Sequence, residues 1–374
     1  MAYSLFDQLQ LDRESGVPLI AQLTEQITWL IASGQLKKGD TLPPMRRLAE
    51  ELGVHMHTVR QAYQRLEADQ LVSVHPRRGT QVLAYDSAAA AERGAESPSF
   101  LLGVILPSPA SFFTPFIQAL QDRCRELHYL PLFCYTFENS YLVETYFNQL
   151  IARQVDGFIF ASLGLPSLIE NPQQLGAYPP IVSVDVPDMP GYRVRLDNQG
   201  AAGILAGHLL DHGYRRIGLI TPPLEWPNVM EFYQGYESAL LDAGQRIGPE
   251  LISKVEGFLE DHGRLAADKL LDLEEPPDAI LAACDTLAIG ALEAIQARGM
   301  SVPEDIALAG YNDIPAASLV TPGLTTAAVP AARMGELAME MLQGLMEGSE
   351  PSQDKVIIPA KLIIRSSCGC SSSY

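Results

Sequence analysis

The residues with the most chemical potential in this 374-residue chain are basic and polar groups crowded near one end. Arg46 and Arg47 open one amphipathic run. His55, His57, Thr58 and Arg60 open the next, and Arg77, Arg78 and Gly79 follow in a Pro-Arg-Arg-Gly turn. Guanidinium groups pair with phosphate oxygens, while imidazole and hydroxyl groups reach base edges as well. The chemistry these types support is recognition of a polyanion, without bond making. No G-x-x-x-x-G-K-[ST], G-x-S-x-G or H-E-x-x-H occurs, and no lysine stands in a pyridoxal-phosphate setting. The chain is therefore expected not to be an enzyme and to need no cofactor. His208 and His212 lie one helical turn apart, and Cys368-Gly369-Cys370 stands near the end. With no partner at metal-ligand spacing for either pair, His208 and His212 read as ordinary helix and turn positions and the cysteines as a chain end, so no metal is expected.

The elements that position the basic residues are legible. Leu19, Leu23, Ile27, Leu30 and Ile31 recur at helical spacing between Pro18 and Ser33, with Gly34 as the stop. Pro44 opens a second helix with Leu48, Ala49 and Leu52 inward, broken by Gly53. A third, from about Met56 to Ala68, buries Val59, Ala62, Tyr63 and Leu66. Leu71 to Leu83 alternates around the Pro76–Gly79 turn as a hairpin. Helix, turn, helix and basic-tipped hairpin make a winged helix-turn-helix, whose third helix enters a major groove.

Net charge is −19, yet through Asp86 nine Lys and Arg face ten Asp and Glu. Nearly all the excess acid lies beyond, where it would repel DNA while the head touches it. Five cysteines without framework spacing suit a reducing compartment. The first residues show no basic region followed by an apolar one, and no apolar run approaches a membrane span. The expected location is the cytoplasm, with no membrane partner.

The head resembles the winged helix-turn-helix of the GntR family. The matching framework is Pro18-Leu19, Ser33-Gly34, Gly39-Asp40, Leu42-Pro43, Arg46, Leu48-Ala49, Val54, Thr58-Val59-Arg60, Leu66-Glu67 and Gly79-Thr80. The resemblance implies contacts to a double-stranded DNA operator from Arg46, from the helix start around Thr58 and Arg60, and from the wing glycine. Pro44 and His55-Met56 depart from the usual family residues, which leaves the operator sequence open.

After a small, polar stretch at 86–99, short apolar strands alternate with amphipathic helices: Leu101–Leu106, Gly157–Phe160, Ile181–Asp185, Ile217–Ile220 and Ala279–Ala282. That texture predicts an α/β body with parallel sheets, too long for one sheet and so two-lobed. Asp197-Asn198, His212-Gly213-Tyr214-Arg215-Arg216-Ile217-Gly218, Gly235-Tyr236 and Val302 to Asp313 resemble the LacI/GalR effector domain. The resemblance implies a periplasmic-binding-protein-like (type I) fold, a homodimer, and crossovers near Arg195–Asn198, Thr325–Ala328 and Met346–Gly348. The expected domains are 1–85 (DNA-binding), 86–99 (linker, without the usual hinge-helix motif) and 100–374 (effector-binding and dimerisation). A GntR head on such a body resembles the arabinose-operon repressors.

In the interlobe cleft the resemblance implies effector contacts at Asp185, Phe258 and the positions of Phe232, Cys284 and Asn312; Ser108, Ser111, Phe112 and Phe113 in the loop after the first strand and the aromatic Trp226 complete the expected set. Phe232, Cys284 and Asn312 stand where sugar-binding members carry Arg, Asn and Asp. The expected effector is a small molecule, a carbohydrate or something less polar, governing a repressor on a palindromic operator. The alternative is a degenerate cleft serving as an interaction or dimerisation module.

Overall fold

Why the head folds where it does follows from its apolar spacing. The computed structural model describes residues 9, 11, 18–32, 36–68, 71–75, 79–83, 99–137, 139–161, 178–187, 189–349 and 351–370. In chain order the head has α1 (Leu19–Ala32), α2 (Met45–Glu51), α3 (Met56–Ala68), β1 (Val72–His75) and β2 (Gly79–Val82). Leu23, Ile27, Leu30 and Ile31 of α1 meet Leu48, Val59, Ala62, Tyr63 and Leu66 in one buried core. The Tyr63 hydroxyl donates to the Pro43 carbonyl at 2.8 Å, fixing α3 against the chain entering α2. Gly39, at φ +89, makes the turn in which Asp40 accepts the Lys37 N–H at 2.7 Å. β1 and β2 pair antiparallel from Val72↔Val82 to His75↔Gly79, and Thr41 bridges Gln81 on the far side.

The body follows as β3 (Leu101–Leu106), α4 (Thr114–Glu126), β4 (Leu130–Tyr135), α5 (Ser140–Ala152), β5 (Gly157–Phe160), β6 (Ile181–Val184), β7 (Tyr192–Leu196), α6 (Asn198–Asp211), β8 (Ile217–Thr221), α7 (Pro227–Asp242), β9 (Ile252–Lys254), α8 (Glu260–Leu271), β10 (Ala279–Ala282), α9 (Asp285–Ala297), β11 (Ala307–Asn312), β12 (Thr325–Ala328), α10 (Ala331–Met346), β13 (Lys355–Ile358) and β14 (Lys361–Ile363). Of the expected linker, all but Ser99 lies outside the described residues. Where the body begins, the Ser99 and Phe100 N–H groups both donate to the Asp156 carboxylate at 2.9 Å.

The chain divides into two units, Met1–Ser108 with His128–Ile181, and Pro109–Leu127 with Val182–Tyr374. In the first, β3 lies between β4 and β5, all parallel, and α1 lies against α5. In the second, β13, β7 and β6 run parallel, and a six-stranded sheet has the order β14-β12-β11-β10-β8-β9 with only β14 antiparallel. Strands β8 and β10 are buried throughout, as parallel strands covered on both faces must be.

Two crossovers fall near their expected places, between β7 and α6 and between β12 and α10. The third does not. Met346–Gly348 is the end of α10, with Gly348 at φ +74 stopping the helix. The chain changes sheets at Pro359-Ala360 instead, between β13, paired with β7, and β14, paired with β12. Among the described residues no helix is long and apolar enough to cross a membrane.

Candidate DNA-binding and effector sites

α3 buries Val59, Ala62, Tyr63 and Leu66, so at 3.6 residues per turn its other face carries His57, Arg60 and Gln64. All three are exposed, with His55 and Met56, while Thr58 is half-buried. His55 precedes the helix and its Nδ1 accepts the His57 N–H at 3.1 Å. One imidazole nitrogen is thus committed to capping, an N-cap task usually given to Ser or Asp. Arg46 is exposed and lies 3.2 Å from Glu50, a surface pair of little energetic weight. Arg47 is exposed beside it. Gly79 opens β2 at φ +78, and a Cβ there would meet Thr41 at 3.3 Å. Arg77 and Arg78 lie outside the described residues. Gln64 was missed, although its helical spacing from Arg60 marks it.

The effector candidates divide into a polar and an apolar group, joined by the start of α7. Asp185 follows β6 with φ +53, a left-handed conformation that Asp tolerates better than most residues. Its Oδ1 accepts Asn198 Nδ2 at 3.1 Å and the Leu196 N–H at 3.4 Å, and its Oδ2 accepts Asn228 Nδ2 at 3.5 Å. Asn198 also donates to Glu231 at 3.3 Å and accepts from the Tyr311 hydroxyl at 3.0 Å. Arg195 pairs with Glu231, and its buried Nε has no partner among the described residues. Burial pushes the Asp185 carboxyl up to about 6, against the hydrogen bonds that favour its charge. Tyr311 is raised too, by burial and then by the carboxylates of Asp185, Asp197 and Glu231.

On the apolar side, Trp226 and Phe258 pack with ring centroids 5.6 Å apart. Phe112 and Phe258 rest on the core that holds Cys284, Leu287 and Ile314, and Phe113 meets Phe112 edge-on at 4.9 Å. The start of α7 therefore sends Trp226 to the aromatic group, Asn228 to Asp185, and Glu231 to Arg195. Charged and amide groups beside aromatic faces suit a ligand with hydroxyls on one edge and an apolar side.

Two expected contacts prove to be packing residues. Phe232 is 2% exposed, with its ring tilted against that of Tyr311 at 5.2 Å. Cys284 is 4% exposed, and burial pushes its thiol up to about 12. Asn312 ends β11 half-buried at φ +106, Ser111 is exposed, and Ser108 is half-buried in the first unit. Asp285, next to Cys284, is fully buried; it accepts the Thr326 hydroxyl at 2.6 Å and the Ile314 N–H at 2.8 Å. Arg195, Asn198, Asn228, Glu231 and Tyr311 were not anticipated. The Arg-x-x-Asn spacing across the β7–α6 junction was their faint signal.

The reading of His208 and His212 as ordinary positions and of the cysteine pair as a loose end is also corrected. Cys368 is fully buried, and its sulfur lies 3.2 Å from His208 Nε2, while Cys370 reaches His212 Nε2 at 2.9 Å. Residues about 160 apart in sequence give no spacing signal.

Each part of this architecture matches a known family. Residues 206–368 match the periplasmic binding protein-like domain, and residues 19–82 match the bacterial regulatory proteins of the gntR family. The HTH-type transcriptional repressor CytR of Escherichia coli K12 is 31% identical over 269 residues, covering 71% of this chain and 78% of the repressor. The chain belongs to the LacI family of transcriptional repressors. Two solved structures agree. The transcription regulator GntR from Chromobacterium violaceum has a TM-score of 0.67 and 28% identity, covering 72% of this chain and 99% of its own. A LacI family regulator from Enterococcus faecium with bound ribose has a TM-score of 0.62 and 25% identity, covering 71% and 98%. This LacI-family member is a transcriptional repressor by kinship, not an enzyme, with a GntR-type head ahead of its effector-type body.

Proposed function

We propose that the chain is a cytoplasmic, homodimeric repressor whose winged heads bind the two halves of a palindromic operator. A small molecule held around Asp185 governs that binding. The domain division 1–85, 86–99 and 100–374 belongs to this proposal. So do DNA contacts from Arg46, Arg47, His55, His57, Thr58, Arg60, Arg77, Arg78 and Gly79; His55 also caps the helix that presents His57, Thr58 and Arg60.

The observation that carries the effector reading is the polar network of Asp185, Asn198, Asn228, Glu231 and Arg195 beside the Trp226–Phe258 pair. Structural packing alone gains little from so many half-buried polar groups, which are costly unless satisfied. The ligand class is a small molecule with hydroxyl or amine donors for Asp185 and Glu231 and a flat or apolar side for the aromatics. The ribose-bound relative fits the polar half of that description. Phe112, Phe113, Ser108, Ser111 and Asn312 are the remaining proposed contacts.

A second reading has its own support. Phe232 and Cys284 fill with core side chains two positions that polar ligand contacts would occupy, which favours a module working without an effector. Thermal unfolding across sugars, nucleosides and aromatic acids separates the two. Ligand at about 100 times its Kd stabilises by about 2.7 kcal/mol, and the same compound should change a gel shift on the chain's own promoter DNA. No stabilisation by any of the three classes would select the module.

A further inference from the structure

The second half of α6 points away from the Asp185 network and toward the end of the chain. His208 lies in its last turn and His212 is its C-cap. Four residues apart, the two imidazoles share a helix face, with ring centroids 4.7 Å apart. Opposite them stand Cys368 and Cys370, separated by Gly369 at φ +87, a left-handed turn that brings both sulfurs round to the same side. The four donor atoms lie within 4.8 Å of one another. Individual nitrogen–sulfur separations are 2.9 Å for Cys370–His212, 3.2 Å for Cys368–His208 and 3.8 Å for Cys370–His208.

Those separations have a natural explanation. Zinc–sulfur bonds of about 2.3 Å and zinc–nitrogen bonds of about 2.0–2.1 Å at tetrahedral angles put neighbouring S and N atoms about 3.5 Å apart. The observed distances straddle that value. Two thiols and two imidazoles satisfying each other by hydrogen bonds need only pair off; they have no reason to converge all four. The donor set also selects the ion. Two sulfurs and two nitrogens suit zinc and not the oxygen-seeking magnesium or calcium.

The cysteines are held independently of any ion. The Ser367 hydroxyl donates to the Leu308 carbonyl at 2.6 Å and accepts the Thr325 N–H at 2.8 Å. The Tyr214 hydroxyl donates to the Cys368 carbonyl at 3.2 Å, and β14 is paired to β12 just upstream. The Thr325 hydroxyl donates to Cys368 Sγ at 3.1 Å, the outer hydrogen bond a ligating thiolate uses. Cys368 is buried and His212 exposed, so the cluster has a rigid inner side and an open rim.

We propose that His208, His212, Cys368 and Cys370 bind one zinc ion in a closed tetrahedral site that pins the C-terminal segment to the end of α6. Four protein ligands leave no open position, so the role is structural. The tie closes a loop of about 160 residues, from just after the first crossover to just after the last. It fixes the far end of the helix whose first residue, Asn198, belongs to the Asp185 network.

The test uses the full chain purified with thiols kept reduced. Metal analysis after dialysis should find one zinc per chain. Cobalt(II) added to the metal-stripped protein should give the strong visible bands of a tetrahedral ion and thiolate charge transfer in the near ultraviolet. Cys370→Ser and His212→Ala sit on the open rim and should fold; each should lose the charge-transfer intensity or zinc stoichiometry, and the zinc-dependent rise in Tm. Full retention of zinc and of that rise in both variants would overturn the site. So would a weak octahedral cobalt spectrum, no zinc after dialysis, or a Cys368–Cys370 disulfide in protein trapped with alkylating agent at lysis. If a variant fails to fold, the cobalt spectrum of the unaltered chain decides by itself.

Discussion

Asp285 is fully buried, yet its partners are a hydroxyl and one backbone N–H. Burial pushes its carboxyl from 3.8 up to about 7, with the charge of Asp313 adding to the rise. Between those values the folded chain holds a proton that the unfolded chain has released. The group therefore costs nothing below pH 4. Its penalty grows as pH rises toward 7 and levels off above, to on the order of 4 kcal/mol. Asp185, pushed up to about 6, acts in the same direction. Chemical denaturation from pH 4.5 to 8 should show stability from these groups falling with pH, and Asp285→Asn should flatten the dependence. A slope unchanged in that variant would remove Asp285 as its source.

Asp185 makes a second prediction at the same scale. Asn tolerates its φ of +53 and keeps an acceptor. Asp185→Asn should therefore fold normally but lose most of the ligand-induced Tm rise, because charge-assisted hydrogen bonds are about twice as strong as neutral ones. An undiminished rise would move the ligand elsewhere. Sequence alone singled out Asp185 but gave little sign of its partners. Arg195 and Glu231 are 36 residues apart, and ion pairs across that distance leave no local pattern.

Among elements, long periodic helices were the most legible, because one buried stripe repeats over several turns. Three of the strands that escaped were short or charged. β7, Tyr-Arg-Val-Arg-Leu, hides its pattern because Arg195 satisfies its charge on Glu231. β13 and β14 have four and three residues, too few to show a period. The crossing of α8 and α9 was equally silent in sequence, since it depends on glycines that look unremarkable in a helix. A Cβ at Gly290 would lie 1.9 Å from the Glu260 carbonyl, and one at Gly263 2.1 Å from the Leu287 carbonyl. Both obstacles are backbone and cannot rotate away. Gly290→Ala should gain about 1 kcal/mol of helix propensity and lose more to overpacking, for a net fall of roughly 1–3 kcal/mol. Denaturant melts would show it, and a Tm at or above that of the parent would mean the helices separate easily.

For the whole molecule, the order of head and body was legible because each carries dense motif residues, whereas what the body holds depended on contacts between distant segments. Charge adds a consequence that no single contact carries. Nine basic residues through Asp86 must attract DNA while an acidic remainder repels it. Binding should be weak and strongly salt-dependent on arbitrary sequence, and tight only where base contacts add to phosphate contacts. The exposed arginines should then separate by role. Arg46→Ala, at the start of α2, should weaken binding alike on operator and unrelated DNA and reduce the slope of log affinity against log salt by about 1. Arg60→Ala, on the outer face of α3, should cost about 1–3 kcal/mol on the operator and much less on unrelated DNA. Fluorescence anisotropy over a salt series with both duplexes measures each quantity. If the two variants changed places, α2 and not α3 would be the helix in the groove.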